Sequence, residues 1–191
     1  MLDFAPPLAV ITVLLIPLAF AFFGAGEAAA PVLKRIVKAA FAVSSACGLL
    51  LLLTQLGIVI LSSVFSVSFI WLQEGTLYLF GAMFLLSSGA LILSEGHVRV
   101  DILYTNLNEA RQRQVDLVGM LIFVIPVSIL IIIVSWDYVA TSWIQLERSQ
   151  EPSGIHAVFL LKSMIPGFAV LLMLAAEVRV IEILGQMRGR S

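Results

Sequence analysis

Residues 39–73 carry no charged side chain, and similar runs recur at 75–94, at 117–136 and, after Lys162, at 163–176. A helix crossing the hydrocarbon of a bilayer needs about 20 predominantly apolar residues, so these runs confine the chain to membrane-spanning helices. We read five spans: A at 7–23, B at 40–64, C at 75–93, D at 117–136 and E at 158–180. The expected fold is an all-α integral membrane protein, a bundle of four core transmembrane helices (B to E) with one extra N-terminal transmembrane helix (A). The division by sequence is 1–38, the extra helix with a basic cytoplasmic linker, and 39–191, the four-helix membrane domain.

Composition agrees. Charged residues make up 12% of the chain and hydrophobic ones 61%, whereas a soluble domain carries roughly a quarter charged residues. A net charge of −1 gives no support for a nucleic-acid partner. Cys47 is the single cysteine, which excludes a disulfide within the chain. His97 and His156 are the only histidines and are expected on opposite sides of the membrane, so they build no Cys/His metal site. No cofactor is expected.

Segment A competes with a signal-peptide reading, because Ala28, Ala29 and Ala30 resemble a small-residue cleavage site. Its N-terminal region carries Asp3 and neither Lys nor Arg, so a retained helix is expected, with Pro17 as a point of kinking. Orientation follows from the basic residues. Lys34, Arg35 and Lys38 lie between A and B, Arg99, Arg111 and Arg113 between C and D, and Arg179, Arg188 and Arg190 at the C-terminus. Those alternate segments are expected in the cytoplasm, with the N-terminus and the B–C and D–E connections in the periplasm of a bacterial inner membrane.

Ion-coupled transporters keep ionisable groups at mid-depth, where the moving charge needs a partner. The middles of A, B, C and D hold none, and Lys162 is within snorkelling reach of the outer boundary. No nucleophile–base pair, phosphate-binding glycine loop or His-Glu-x-x-His motif is present, so no enzyme activity is expected. Ser44 with Gly48 on B, and Gly81 with Ser88 on C, form small faces suited to close helix approach. Glu74 suits a helix N-terminus or an ion pair with a partner subunit. His97, Arg99 and Asp101, on a short amphipathic stretch at 97–107, suit lipid headgroups or anchoring between subunits. Asn106 with Glu109, or Asn108 alone, can cap the helix leading into D. Trp71, Trp136 and Trp143 fit an aromatic belt. Glu147, Arg148 and Glu151 either solvate the longest outside loop, 137–157, or dock a periplasmic partner.

The run EGHVRVD at 95–101, with Glu74 opening the preceding span, begins an ordered set of short motifs. VDLVG at 115–119, Ser135-Trp136, Ser142-Trp143, Glu147-Arg148-Ser149, Glu151-Pro152-x-Gly154, Lys162 and Pro166 follow. Together they resemble the DctQ-like small membrane subunit of tripartite ATP-independent periplasmic (TRAP) transporters, over most of residues 40–185. The resemblance implies a non-catalytic subunit that braces a large TRAP membrane subunit, which holds the substrate and sodium sites. It also implies a soluble periplasmic substrate-binding protein that delivers small organic acids. On this reading Glu74, His97, Arg99, Asp101 and Lys162 contact the large subunit or membrane lipids. Trp143, Glu147, Arg148 and Glu151 dock the binding protein. Segment A departs from the usual four spans. The alternative is a self-sufficient oligomeric small transporter or channel.

Overall fold

The computed structural model describes residues 5–22, 28–94 and 107–189. Among these the backbone forms five helices and no strand: α1 (Ala5–Phe22), α2 (Ala30–Phe65), α3 (Ile70–Leu93), α4 (Glu109–Ile144) and α5 (Val158–Met187). Helices α2 to α5 are each long and apolar enough to cross a membrane, and α1 is a shorter apolar helix. The all-α membrane bundle expected from the uncharged runs is the one found.

The helix ends differ from the sequence reading, for local reasons. Pro31 lies in the first turn of α2, where its missing N–H costs no intrahelical bond. The helix therefore starts at Ala30 and runs unbroken past Lys38, so the stretch expected as a basic linker is helical. It stops at Ser66, which turns left-handed (φ 55°) and gives its N–H to Leu61 O. Asn108 caps α4 by accepting from Arg111 N at 2.9 Å. The same helix outruns its expected end at Trp136. Asp137 marks an exit from the apolar region, but nothing in 138–144 breaks a helix, and the chain turns only where Leu146 adopts φ 44°. The loop expected at 137–157 thus contracts to 145–157. Within α4, Met120–Val124 form a π turn in which Ile125 N–H reaches back to Met120 O. Pro126 accounts for it: it has no N–H for the Ile122 carbonyl and its ring crowds that oxygen, so the preceding turn widens.

Helix α5 is the axis of the bundle and packs on all four others, while α2 pairs with α3, and α1 leans on α4 and α5. Burial concentrates from Ala169 onward, where Ala169, Met173, Ala175, Ala176, Val178 and Val180 are fully enclosed. Ala21, Leu33, Val37 and Ile92 join Leu174 and Val178 there, binding α1, α2 and α3 to α5. In lipid, apolar side chains gain little by leaving one oily environment for another. Close packing and interhelical hydrogen bonds hold such a bundle instead. Gly89 supplies the first: a Cβ there would fall 2.8 Å from Leu171 O. Ser44 supplies the second, donating from α2 to Met83 O on α3 at 2.5 Å. Gly48 lies against Met83, and Gly81 against Leu161 and Met164, so the small faces serve packing inside the chain. The bundle has a loop end, carrying the 66–69 turn and the 145–157 loop, and a basic end, carrying Lys34, Lys38 and Arg179.

Candidate functional site

At the loop end, polar side chains from α3, α4 and α5 gather around the 145–157 loop and hold it down as a cap. Glu74 lies one turn inside α3 rather than opening it. A carboxylate at that depth needs donors, and the loop supplies two: the Ser149 hydroxyl donates to Oε1, and Ile155 N donates to Oε2 at 2.6 Å. Ser149 Oγ also accepts from Glu151 N at 3.1 Å, and Gly154 N donates to Glu151 O at 3.0 Å, which curls 149–155 into a tight turn. Gly154 is packed so closely that a Cβ would lie 2.6 Å from Glu74 Oε2. Its backbone conformation is ordinary. The glycine is there for space.

The second anchor is Glu147. Its Oε2 accepts from Lys162 Nζ at 2.5 Å and from the buried Ser142 hydroxyl at 2.7 Å. Both contacts, that from Lys162 first, hold the Glu147 carboxyl below its ordinary pKa of 4.5. Lys162 Nζ also sits 4.0 Å from the centre of the Tyr138 ring, a cation–π contact. Trp143 Nε1 donates to Ser163 Oγ at 2.7 Å, and its ring meets Phe159 with centroids 4.6 Å apart. The loop is therefore tied to α4 and α5 as well as to α3.

Of the residues singled out by sequence, the structure brings Trp143, Glu147 and Lys162 together, and it turns Glu74 inward against the loop. Arg148 and Glu151 remain exposed on the cap, as does His156. His97, Arg99 and Asp101 lie outside the described residues. Sequence reading missed Tyr138, Ile155 and Ser163, and it quoted Ser149 and Gly154 as motif residues without their contacts. The signal available was Glu74 itself, an acid one turn inside an apolar helix that requires donors from elsewhere.

At the basic end Lys34 pairs with Glu182, and Arg179 Nη1 lies 3.7 Å from the other oxygen of that carboxylate. Arg188 Nη1 donates to Ala21 O at 2.9 Å. Glu177 is fully enclosed in the core. Neither of its oxygens has a hydrogen-bond partner among the described residues. It stands about five residues, roughly 8 Å of helix rise, above Glu182.

Between the two ends the interior is chemically plain. Hydroxyls of the buried serines bond to helix carbonyls: Ser44 to Met83 O, Ser88 to Leu85 O, Ser128 to Val124 O and Ser135 to Ile132 O. Apolar hollows of about 490 Å³ along α4 beside Ile165, 320 Å³ between α2 and α3, and 360 Å³ along α4 near Leu172 open on the bundle surface. A polar solute site needs convergent donors or acceptors, and Ser135 is among the few polar groups lining these hollows. Among the described residues no cluster of three His, Cys, Asp or Glu could hold a metal.

No curated protein and no solved structure matches the chain. The family description of tripartite ATP-independent periplasmic transporters, DctQ component, matches residues 50–186. That stretch covers the C-terminal part of α2 and all of α3, α4 and the cap, and it ends one residue short of the end of α5. The chain is a multi-pass inner-membrane protein and belongs to the DctQ family, a family of transporter components and not of enzymes.

Proposed function

We propose that this chain is the fixed membrane subunit of a sodium-driven transporter for small organic acids, bracing a large transport subunit while the latter moves. The observation that carries this is the interior just described. Among the described residues the hydroxyls of Ser44, Ser88, Ser128 and Ser135 bond to helix carbonyls, and the ionisable groups lie in the cap or toward the basic end, the enclosed Glu177 reaching deepest. A gradient needs a group to load and unload, and among the described residues none stands midway. The basic end faces the cytoplasm and the cap faces the periplasm, as the distribution of Lys and Arg directs. Helix α1 serves as an additional membrane-embedded brace.

On this reading the cap is the platform for a substrate-binding protein. Glu74, Glu147 and Lys162 keep it rigid, and the exposed Arg148 and Glu151 meet the incoming protein. Rim charges act chiefly on association rate and its salt dependence. Reversing both, Arg148→Glu with Glu151→Arg, is expected to slow uptake at limiting binding protein while the membrane complex purifies intact. Unchanged uptake across binding-protein concentrations and salt removes the docking role. Loss of the large subunit from the purified complex would move these residues to a different interface. For the scaffold role, uptake is expected to require both membrane subunits, and uptake by the large subunit alone would refute it.

A further inference from the structure

The fold leaves two cations of the basic end without a partner. Lys34 and Arg179 share the Glu182 carboxylate, and Arg188 donates to Ala21 O. Arg35 and Lys38 are exposed and make no ion pair among the described residues. Lys38 is the last charge before the uncharged run 39–73, so it stands where α2 enters hydrocarbon. A lysine at that level lays its stem along apolar surface and carries its head toward water. Helical side chains lean toward the N-terminus of their own helix, which for α2 is the basic end. The ammonium is thus directed to headgroup depth.

Beside Lys38 runs a groove. Across the α2–α3 hairpin Val37 meets Gly89 and Ser44 meets Met83, so the last turn of α3 lies about level with residues 33–37 of α2. There the hollow of about 320 Å³ opens, walled by Val37 and Phe41 on one side and by Ala90, Leu91 and Leu93 on the other. Its polar groups are Lys38 and Ser94. The Ser94 side chain is exposed, and its hydroxyl reaches Leu91 O only at 3.3 Å, a bond long enough to exchange for a better acceptor. Lys34, Lys38 and Phe41 share one strip of α2 at i, i+4 and i+7, so that strip passes from charged to apolar as it enters the membrane. An occupant that matches the groove is anionic at one end and apolar along the rest.

We propose that this groove binds one anionic phospholipid of the leaflet at the basic end. Its phosphate rests on the Lys38 ammonium and the Ser94 hydroxyl, and an acyl chain lies against Val37, Phe41 and Leu91. The inference needs only that the bundle spans a bilayer and stands apart from the scaffold reading above. A soluble anion would leave the apolar walls unused. A zwitterionic phospholipid would bring a cation of its own to an end where Lys34, Arg35, Lys38 and Arg179 stand against one carboxylate, Glu182. A partner helix is 10–12 Å across with its side chains, too wide to enter a cleft between helices packed as closely as Gly48 and Met83 require. Basic pockets between spanning helices are general receptors for anionic headgroups on the cytoplasmic side, the side to which the distribution of Lys and Arg assigns this end.

The test is native mass spectrometry of the full chain, stripped of lipid in mild detergent. It is then titrated with phosphatidylglycerol or with phosphatidylethanolamine of the same acyl chains. One phosphatidylglycerol is expected to bind ahead of any phosphatidylethanolamine. Lys38→Gln is expected to weaken that first binding about fivefold, the worth of one cation at an anionic membrane surface, and to leave phosphatidylethanolamine unchanged. Lys38→Arg, which keeps the charge, is expected to bind as the unaltered chain does, separating loss of charge from loss of fold. Arg111→Gln, which removes an exposed charge from α4, is expected to change neither lipid. Glycerol phosphate, a headgroup without chains, is expected not to compete. Equal binding of the two lipids, undiminished phosphatidylglycerol binding in Lys38→Gln, the same loss in Arg111→Gln, or displacement by glycerol phosphate each overturns the site. Disappearance of the bound lipid when the chain is purified with its membrane partner would give the groove to that partner and overturn it too.

Discussion

Gly154→Ala separates a space-filling role for this glycine from a conformational one. Its φ is not positive, so alanine fits the backbone. On backbone grounds alone the change should stabilise by about 0.4–1 kcal/mol, through lost freedom of the unfolded chain. The structure predicts the opposite sign. The new Cβ would fall 2.6 Å from Glu74 Oε2 and also into Ser149, two groups already bonded to each other. Neither is the loose end of a long side chain, so relief means moving the loop off α3. Overpacking of this kind costs about 1–3 kcal/mol, and the net expectation is a loss of about 1–2 kcal/mol. For a chain of this size that amounts to a fall of roughly 5 °C in melting temperature. Thermal unfolding in detergent gives the first number, and the rate of proteolytic nicking within 145–157 shows whether the cap has lifted. Glu74→Ala should abolish part of the effect, because the bond that the methyl disrupts is then already gone. Equal or greater stability in Gly154→Ala, with unchanged nicking, would refute the cap as a packed unit.

The remaining predictions concern the anchors and the core. Glu177→Leu is expected to raise stability in detergent melts by about 1–3 kcal/mol, since it removes a buried carboxyl that has no donor; a loss of stability would mean the carboxyl has a partner in the assembled protein. Glu147 has a folded pKa below its ordinary 4.5, so its anchoring is complete above that value and disappears as pH falls through the lower folded one. Amide protection at Glu147 and Val158 should therefore stay flat from neutrality to about pH 5 and drop below 4.5, a drop absent in Glu147→Gln; protection lost nearer pH 6 would point to a different group. Ser44→Ala should cost only about 0.6 kcal/mol, the usual worth of one interhelical hydrogen bond in a membrane, as the Met83 carbonyl keeps its helical donor; collapse of the bundle would show that α2 depends on that bond.

Much of the fold was legible because lipid imposes a simple rule: an uncharged run of sufficient length crosses. That rule located α2 to α5. Helix ends were less legible because charges mark where a chain leaves the apolar layer, not where hydrogen bonding stops. Asp137 did not end α4, and Lys38 did not begin α2. Glu147, Lys162 and Trp143 could be picked out as polar residues near one boundary. The pairing of Glu147 with Lys162 depends on how α4 and α5 meet across the loop, and that of Glu74 with Ser149 and Ile155 on the register of α3 at sequence separations of 75 and 81, which no local pattern encodes. Glu177 was passed over because it stands near charged neighbours in sequence, while in the fold it faces the core.

The central claim is that this bundle moves nothing alone. Purified chain reconstituted into liposomes, with an inward sodium or proton gradient and a labelled small organic acid outside, tests it most directly. No accumulation above protein-free vesicles is expected, with uptake restored when the large subunit and binding protein are added. Gradient-dependent accumulation by this chain on its own would contradict the account.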